Sequence, residues 1–371
     1  MNLIRKKCAI CNSKLKKIYK LENVPITLAC VENDNNYNFD TMSFSICVNC
    51  NTIQLDKLIE LNILYGLSHN FTSVGKIWEN YYDIFIKYIQ NKINNKVILE
   101  IGDPSGKLAT NCSHYNKWYI VEPNKNNNVA FNEKIIFIES FFDNNFKIDQ
   151  HIDLIIHSHL FEHIYDFDIF LKKCYEILNE NGEMIFGVPN MENIAKKSLS
   201  LFVGVFFEHT IFLDKENITY LLKKNGFNIT KIVDYENHSI IFHTQKSIKN
   251  TINNIKIYNY YEIFINTINQ YNLFVIKCNE NIINNTSKNI YLFGASYNNQ
   301  LLLAFGLNKN ITGVLDNCKE KQNKYLYGSS LKIFDPEVLI NDSIVILKNG
   351  YYVKEIYDQI ISINKNTIII Q

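Results

Sequence analysis

Between residues 97 and 188 the apolar positions follow two alternating rhythms. Val97 to Ile101, Trp118 to Val121, Ile135 to Ile138 and Leu154 to His157 are short, nearly unbroken apolar runs of strand length. Asp168 to Leu178 spaces its apolar residues by three and four, which predicts a helix, and Glu183 to Val188 returns to the strand pattern. This alternation predicts a doubly wound sheet with helices on both faces. From about Lys288 the theme recurs: a strand at Asn289, a helix through Leu301, then strands at Ile311 to Asp316, Ser343 to Leu347 and Thr367 to Ile370. A second open α/β unit follows. From Ile63 to about Ile93, residues Ile77, Tyr81, Ile84, Phe85 and Tyr88 recur at helical spacing, and the aromatic stripe reads as packing. The expected division is a module over 1–60, a helical connector over 61–93, an α/β core over 94–285 and the second unit over 286–371.

Composition narrows the class. With 371 residues, the length implies two to three domains, and 47% hydrophobic with 20% charged residues is a globular composition. A formal net charge of +1 gives no general electrostatic reason to bind nucleic acid. No run approaches the roughly 18 to 20 apolar residues of a membrane span. No apolar N-terminal run precedes a small-residue cleavage site, and Cys30, Cys112, Cys174, Cys278 and Cys318 stand singly. The expected setting is cytoplasmic and reducing, with neither nucleic acid nor membrane as partner. Asn, Ile and Lys are used so heavily that Asn marks turns poorly here.

Four other cysteines are paired. Cys8-Ala-Ile-Cys11 and Cys47-Val-Asn-Cys50 each place two thiolates on one tight turn, and together they supply the four soft ligands of a closed tetrahedral zinc site. The gap between the pairs is long for a zinc ribbon, so it must hold a small subdomain. Four thiolates leave no open position for substrate or water, so the expected zinc is structural. It replaces a core that so short a segment cannot build.

The first strand of the core ends in Glu100 and Ile101 and breaks into Gly102-Asp103-Pro-Ser-Gly106, which opens toward a helix. Ligands of open α/β sheets bind there, beyond the carboxyl ends of the strands. The spacing is not that of a dinucleotide fingerprint, since Pro104 stands where a middle glycine would. The second strand ends in Glu122, placed to accept both hydroxyls of a ribose. A carboxylate-lined, glycine-poor loop suits S-adenosylmethionine, which carries a cationic ammonium and sulfonium and no phosphate. The candidate cofactor residues are Glu100, Gly102, Asp103, Gly106 and Glu122, with Phe141 and Phe142 beside the adenine and Ser158 at the end of the fourth strand.

The segment Asp153-Leu-Ile-Ile-His-Ser-His-Leu-Phe-Glu-His163, then Leu178 to Asn190, resembles the fourth and fifth strand region of class I S-adenosylmethionine-dependent methyltransferases. With the cysteine pairs, the Phe207-Glu-His209 triplet and Gly294-Ala-Ser296, nearly the whole chain resembles the three-domain sugar C-methyltransferases. That resemblance implies a zinc-bearing lid, a Rossmann-like methyltransferase core and a C-terminal Rossmann-like domain. It also implies a nucleotide-linked keto-deoxysugar as the small-molecule substrate. By position, Glu208 and His209 match the family's Glu-His pair, whose histidine is the proposed base, and His163 matches a second active-site histidine. A carbon beside a carbonyl loses a proton to such a base, and the resulting enolate attacks the methyl. The chain departs from the family at several places. Phe206 stands where a tyrosine is common, Asn237-His-Ser-Ile replaces His-Gly-Gly-Ser, Asn298-Asn299 replaces Lys-Gly, and no lid tyrosine is evident near Asn70 and Phe71. Oxygen or nitrogen therefore stays open as the methylated atom. So does a catalytically lapsed protein of this fold that binds a nucleotide-type ligand or a partner.

Overall fold

The apolar runs become strands because each can be buried on both faces at once. In this computed structural model, residues 3–27, 30–33, 37–65, 76–124, 132–196, 204–235, 238–247, 258–340, 342–348 and 353–371 are described. Asn70, Phe71 and Asn237 lie outside them. The N-terminal module forms an antiparallel sheet of β1 (Leu15–Pro25), β2 (Phe39–Cys47) and β3 (Ile53–Leu55). The connector holds a short helix α1 (Leu61–Tyr65) and the longer α2 (Lys76–Gln90).

The core contributes β4 (Val97–Ile101), α3 (Lys107–Asn111), β5 (Lys117–Val121), β6 (Ile135–Ile138) and β7 (Ile152–Ser158). It continues with α4 (Phe167–Ile177), β8 (Leu178–Pro189), α5 (Lys215–Lys224), β9 (Phe227–Tyr235) and β10 (Ser239–Lys246). These seven strands form one sheet in the order β9-β10-β8-β7-β4-β5-β6. All neighbours pair in parallel except β10, which runs antiparallel to both β8 and β9. The order reverses between β4 and β7, and that switch point is where such sheets bind ligands.

One face of the sheet is covered by α2, through Tyr81, Phe85 and Ile89 against Ile98, Trp118 and Leu154. On the other face Phe170, Leu171, Ile218 and Leu221 of α4 and α5 pack on Leu99, Ile101 and Ile155, and Cys8, Ile10, Cys47 and Cys50 join the same cluster. The cysteine module is thus packed onto the core.

A 24-residue helix α6 (Tyr261–Asn284) leads to β11 (Asn289–Phe293), α7 (Tyr297–Ala304), β12 (Gly313–Leu315), β13 (Ile333–Phe334), β14 (Ser343–Ile346), α8 (Val353–Ile363) and β15 (Ile368–Ile370). These five strands form a wholly parallel sheet in the order β13-β12-β11-β14-β15. Phe264, Tyr271 and Cys278 of α6 share a hydrophobic cluster with Val24, Met42 and Phe44 of the N-terminal sheet and with Ile290, Leu292 and Ile344 of the C-terminal one. That helix ties the two outer units together. Among the described residues no helix is long and apolar enough to cross a membrane.

Candidate active site

The four paired cysteines converge. Their Sγ atoms all lie within 4.8 Å of one another, with Cys8 to Cys50 at 3.6 Å and Cys11 to Cys47 at 3.4 Å. Tetrahedral thiolates about 2.3 Å from zinc are about 3.8 Å apart, so the donor set fits the ion. Backbone N–H groups of Ile10, Asn49 and Cys50 point at Cys8 and Cys47 sulfurs at 3.4 Å, and the Gln54 side-chain amide donates to Cys8 Sγ. Such donors hold thiolates in place.

The strand leaving this cluster reaches the histidine pair. Leu55 N–H donates to Thr210 O, and Phe212 N–H donates to Ile53 O, so β3 pairs with the segment directly after Glu208 and His209. Arg5, the chain's single arginine, closes the joint. Its guanidinium donates to the carbonyls of Leu55, Thr210 and Tyr165 and to Thr210 Oγ1, at 3.1 to 3.3 Å. Burial lowers its pKa to about 10, which leaves it charged at neutral pH. The guanidinium makes these four hydrogen bonds from two nitrogens, whereas a lysine ammonium has three donors on one.

The catalytic candidates meet beyond the ends of β7 and β8. The turn holding Phe161 to His163 presents His163 Nε2 at 3.2 Å from His209 Nε2, with the two rings nearly perpendicular. His163 Nδ1 lies 2.6 Å from the Tyr65 hydroxyl. This phenol is brought in by α1, five residues ahead of Asn70 in the sequence. The sequence signal for it is a tyrosine closing an apolar run just ahead of Gly66. His209 Nδ1 is buried and has no hydrogen-bond partner among the described residues. Burial first, and then the neighbouring His163, lower its pKa to about 3, so the imidazole is neutral at physiological pH. Phe206 covers one face of His209 at 4.3 Å, and Tyr297 from the C-terminal unit covers Phe206 at 4.3 Å. Glu208 is buried beside them.

One further acid and two further histidines adjoin this pair. Glu162, almost fully buried, approaches His159 Nδ1 at 3.3 Å through Oε1. Burial alone would push its carboxyl up, but the His159 hydrogen bond and the surrounding imidazoles hold it down near 2. His159 Nε2 and His238 Nδ1 both contact Ser239 Oγ, with Trp78 against both imidazoles.

The cofactor candidates line the switch point. Gly102 and Gly106 have φ of 83° and 60°, the left-handed region that glycine adopts without strain. Asp103 accepts from Ser105 N–H, Ser105 hydroxyl and Lys107 N–H, so it shapes the loop and the start of α3. Glu100 is buried and accepts from Trp118 Nε1 at 2.7 Å; burial and the nearby Asp103 hold its carboxyl well above the usual range. Its place is beneath the loop. Glu122 directly follows β5 and accepts from Asn124 N–H at 2.9 Å, while burial pushes its pKa up to about 7. Asn124 also donates through its side chain to Tyr65 O, linking the cofactor end to the histidine end. Ser158 contacts the Tyr81 hydroxyl at 2.9 Å. A Cβ at Gly187 would stand 1.9 Å from that hydroxyl, so only glycine admits it. Phe142 packs on Phe146 and Phe170, whereas Phe141 is 37% exposed.

Residues 79–232 match the family described as a methyltransferase domain. The match spans α2 to β9 and includes every cofactor and histidine candidate. Among solved structures, the chain is similar to an S-adenosylmethionine-dependent methyltransferase from Clostridium acetobutylicum (15% identity, 47% of this chain and 93% of that one, TM-score 0.34). It is also similar to the N-methyltransferase NodS from Bradyrhizobium japonicum (10% identity, 46% and 97%, TM-score 0.36). No curated protein sequence matches the chain. The sheet order and the domain match define a methyltransferase core of the class I fold. The enzyme class that this match supports is that of the methyltransferases.

Proposed function

We propose that the enzyme methylates a nucleotide-linked sugar at the carbon beside a ketone, with His209 as the base. The observation that carries this reading is the half-buried run Tyr65, His163, His209, joined through Asn124 to Glu122 at the cofactor end. S-adenosylmethionine, when bound, supplies an electrophilic methyl. Glu122 accepts from the ribose hydroxyls, Gly102 and Gly106 admit the cofactor against the backbone, and Phe141 and Phe142 flank the adenine.

His209 Nδ1 receives the proton from the acceptor. When His209 Nε2–H donates to His163 Nε2 and His163 Nδ1–H donates to Tyr65, the Nδ1 lone pair of His209 is free to do so. The proton gained at Nδ1 is balanced by one passed from Nε2 to His163. Phe206 and Tyr297 keep water from that face, and Glu208 sets the local charge. The C-terminal unit supports a second binding end. Ser296 Oγ and Asn299 Oδ1 at the start of α7 are buried without partners among the described residues, and polar groups of the acceptor would satisfy them. Cys8, Cys11, Cys47 and Cys50 would hold a structural zinc, which would brace β3 against the chain after His209.

Labelled methyl transfer to a panel of nucleotide-linked keto sugars tests the acceptor. Solvent deuterium entering the substrate at carbon, without S-adenosylmethionine, supports C-methylation. Methyl transfer without any exchange would move the reaction to oxygen or nitrogen, and no transfer to any sugar of the panel would remove this acceptor class.

A further inference from the structure

Glu162 presents a problem that the base reading does not solve. Its Oε2 is buried and has no hydrogen-bond partner among the described residues, while Oε1 is directed at His159. An unpartnered carboxylate oxygen in a buried position is costly. Close by, two imidazole nitrogens face each other at 3.2 Å. The ligand atoms of Glu162, His163 and His209 all lie within 4.8 Å of one another.

We propose that Glu162, His163 and His209 form a second metal site, which takes a divalent transition-metal ion in place of the proton between the two imidazoles. Two histidine nitrogens bound about 2.0 to 2.1 Å from a tetrahedral ion stand about 3.3 Å apart. The Nε2 atoms here are 3.2 Å apart. The surrounding shell is also that of a metal ligand. Tyr65 can accept from His163 Nδ1–H, which fixes the tautomer with the Nε2 lone pair toward the site, and His159 holds the other Glu162 oxygen. Two imidazoles and one carboxylate favour Zn²⁺, Co²⁺ or Ni²⁺ over Mg²⁺ or Ca²⁺, and three ligands leave a position open.

The ion and the proton relay use the same Nε2 atoms, so occupancy stops the relay. The metal is therefore inhibitory. That consequence rests on His209 being the base, whereas binding itself does not.

The test uses full-length protein loaded with zinc at the four cysteines and freed of excess metal. Titration with CoCl₂, followed by calorimetry and visible absorption, should show about one further ion per chain, without the thiolate charge-transfer bands of cobalt bound by cysteine. Glu162→Gln and His163→Ala should each weaken that binding about tenfold or more. Thermal unfolding identifies any variant that is not folded, and the other then decides. No uptake, unchanged uptake in the folded variants, or thiolate bands showing exchange at the cysteines would each overturn the site. Methyl transfer is read separately in chelator. If cobalt binds at the predicted stoichiometry while His209→Ala turns over normally, the metal site stands and the base assignment fails. If cobalt does not bind while His209→Ala is inactive, the reverse holds.

Discussion

At the scale of single residues, Glu122 carries the clearest pH signature. Burial raises its carboxyl to about 7, against the Asn124 N–H that favours the charged form. Ribose hydroxyls donate to a carboxylate better than to a carboxylic acid, so binding draws on the deprotonated fraction. Below pH 7 that fraction shrinks about tenfold per unit. S-adenosylhomocysteine affinity should therefore strengthen as pH rises from 6 to 8, and Glu122→Gln should bind more weakly and nearly independently of pH. Calorimetry across that range checks this, and a flat profile in the parent protein would count against the carboxylate contact. The convergence of the cysteine pairs was legible in the sequence, and Glu122 and the Glu-His pair stand on recurrent patterns that make them candidates. Tyr65, Asn124, Glu162 and Arg5 were not legible, because what recommends them is a distance across the fold. Arg5 left a trace as a single arginine in a lysine-rich chain, and Tyr65 as the close of an apolar run.

At the scale of elements, the joint between β3 and the segment from Thr210 to Phe212 positions the base. Arg5 pins that joint from three sides. Arg5→Lys keeps the charge and loses the fork, and a base displaced by a fraction of an ångström loses rate before the cofactor site is affected. The expected outcome is a kcat lowered by about tenfold or more with unchanged S-adenosylhomocysteine affinity. An equal loss of both would point to general destabilisation instead. The cysteine cluster acts on the same joint from the other end. Cys47→Ser should lower zinc content from about one per chain and reduce kcat while the core still binds S-adenosylhomocysteine; a variant with full zinc content would contradict the ligand assignment. The strands at 97–101 and 135–138 were read to the residue, since buried parallel strands are plain apolar runs. The β9 and β10 pair and α6 were not assigned as elements. Asn228, Thr230 and Lys231 break up the first, and Asn266, Asn269, Asn272 and Asn279 interrupt the helical stripe of the second.

At the scale of the whole molecule, buried neutral histidines make the fold sensitive to acid. His157 stacks against Phe186 and Phe161 with neither ring nitrogen partnered among the described residues, and burial lowers its pKa to about 3. Burial, with His159 nearby, lowers that of His238 to about 4. Between those values and the unfolded value of about 6.5 the unfolded chain binds more protons, so stability falls as pH falls below about 6.5. Each such histidine contributes a slope of up to about 1.4 kcal/mol per pH unit. His157→Phe should flatten the decline between pH 6.5 and 4.5 in denaturant unfolding, and an unchanged slope would show that His157 is hydrated. The three units share cores rather than merely adjoining, with Tyr297 of the last reaching the ring that covers His209. That closure was legible only as a resemblance, because no local pattern states which surfaces meet.

The central claim is that His209, backed by His163 and Tyr65, takes the acceptor's proton. It is tested most directly by comparing His209→Ala with the parent protein in single-turnover methyl transfer to whichever nucleotide-linked keto sugar the parent methylates fastest. The expected rate is lower by about 10² to 10⁴ with S-adenosylhomocysteine bound as tightly as before. A rate within about tenfold of the parent's, short of that range, would contradict it.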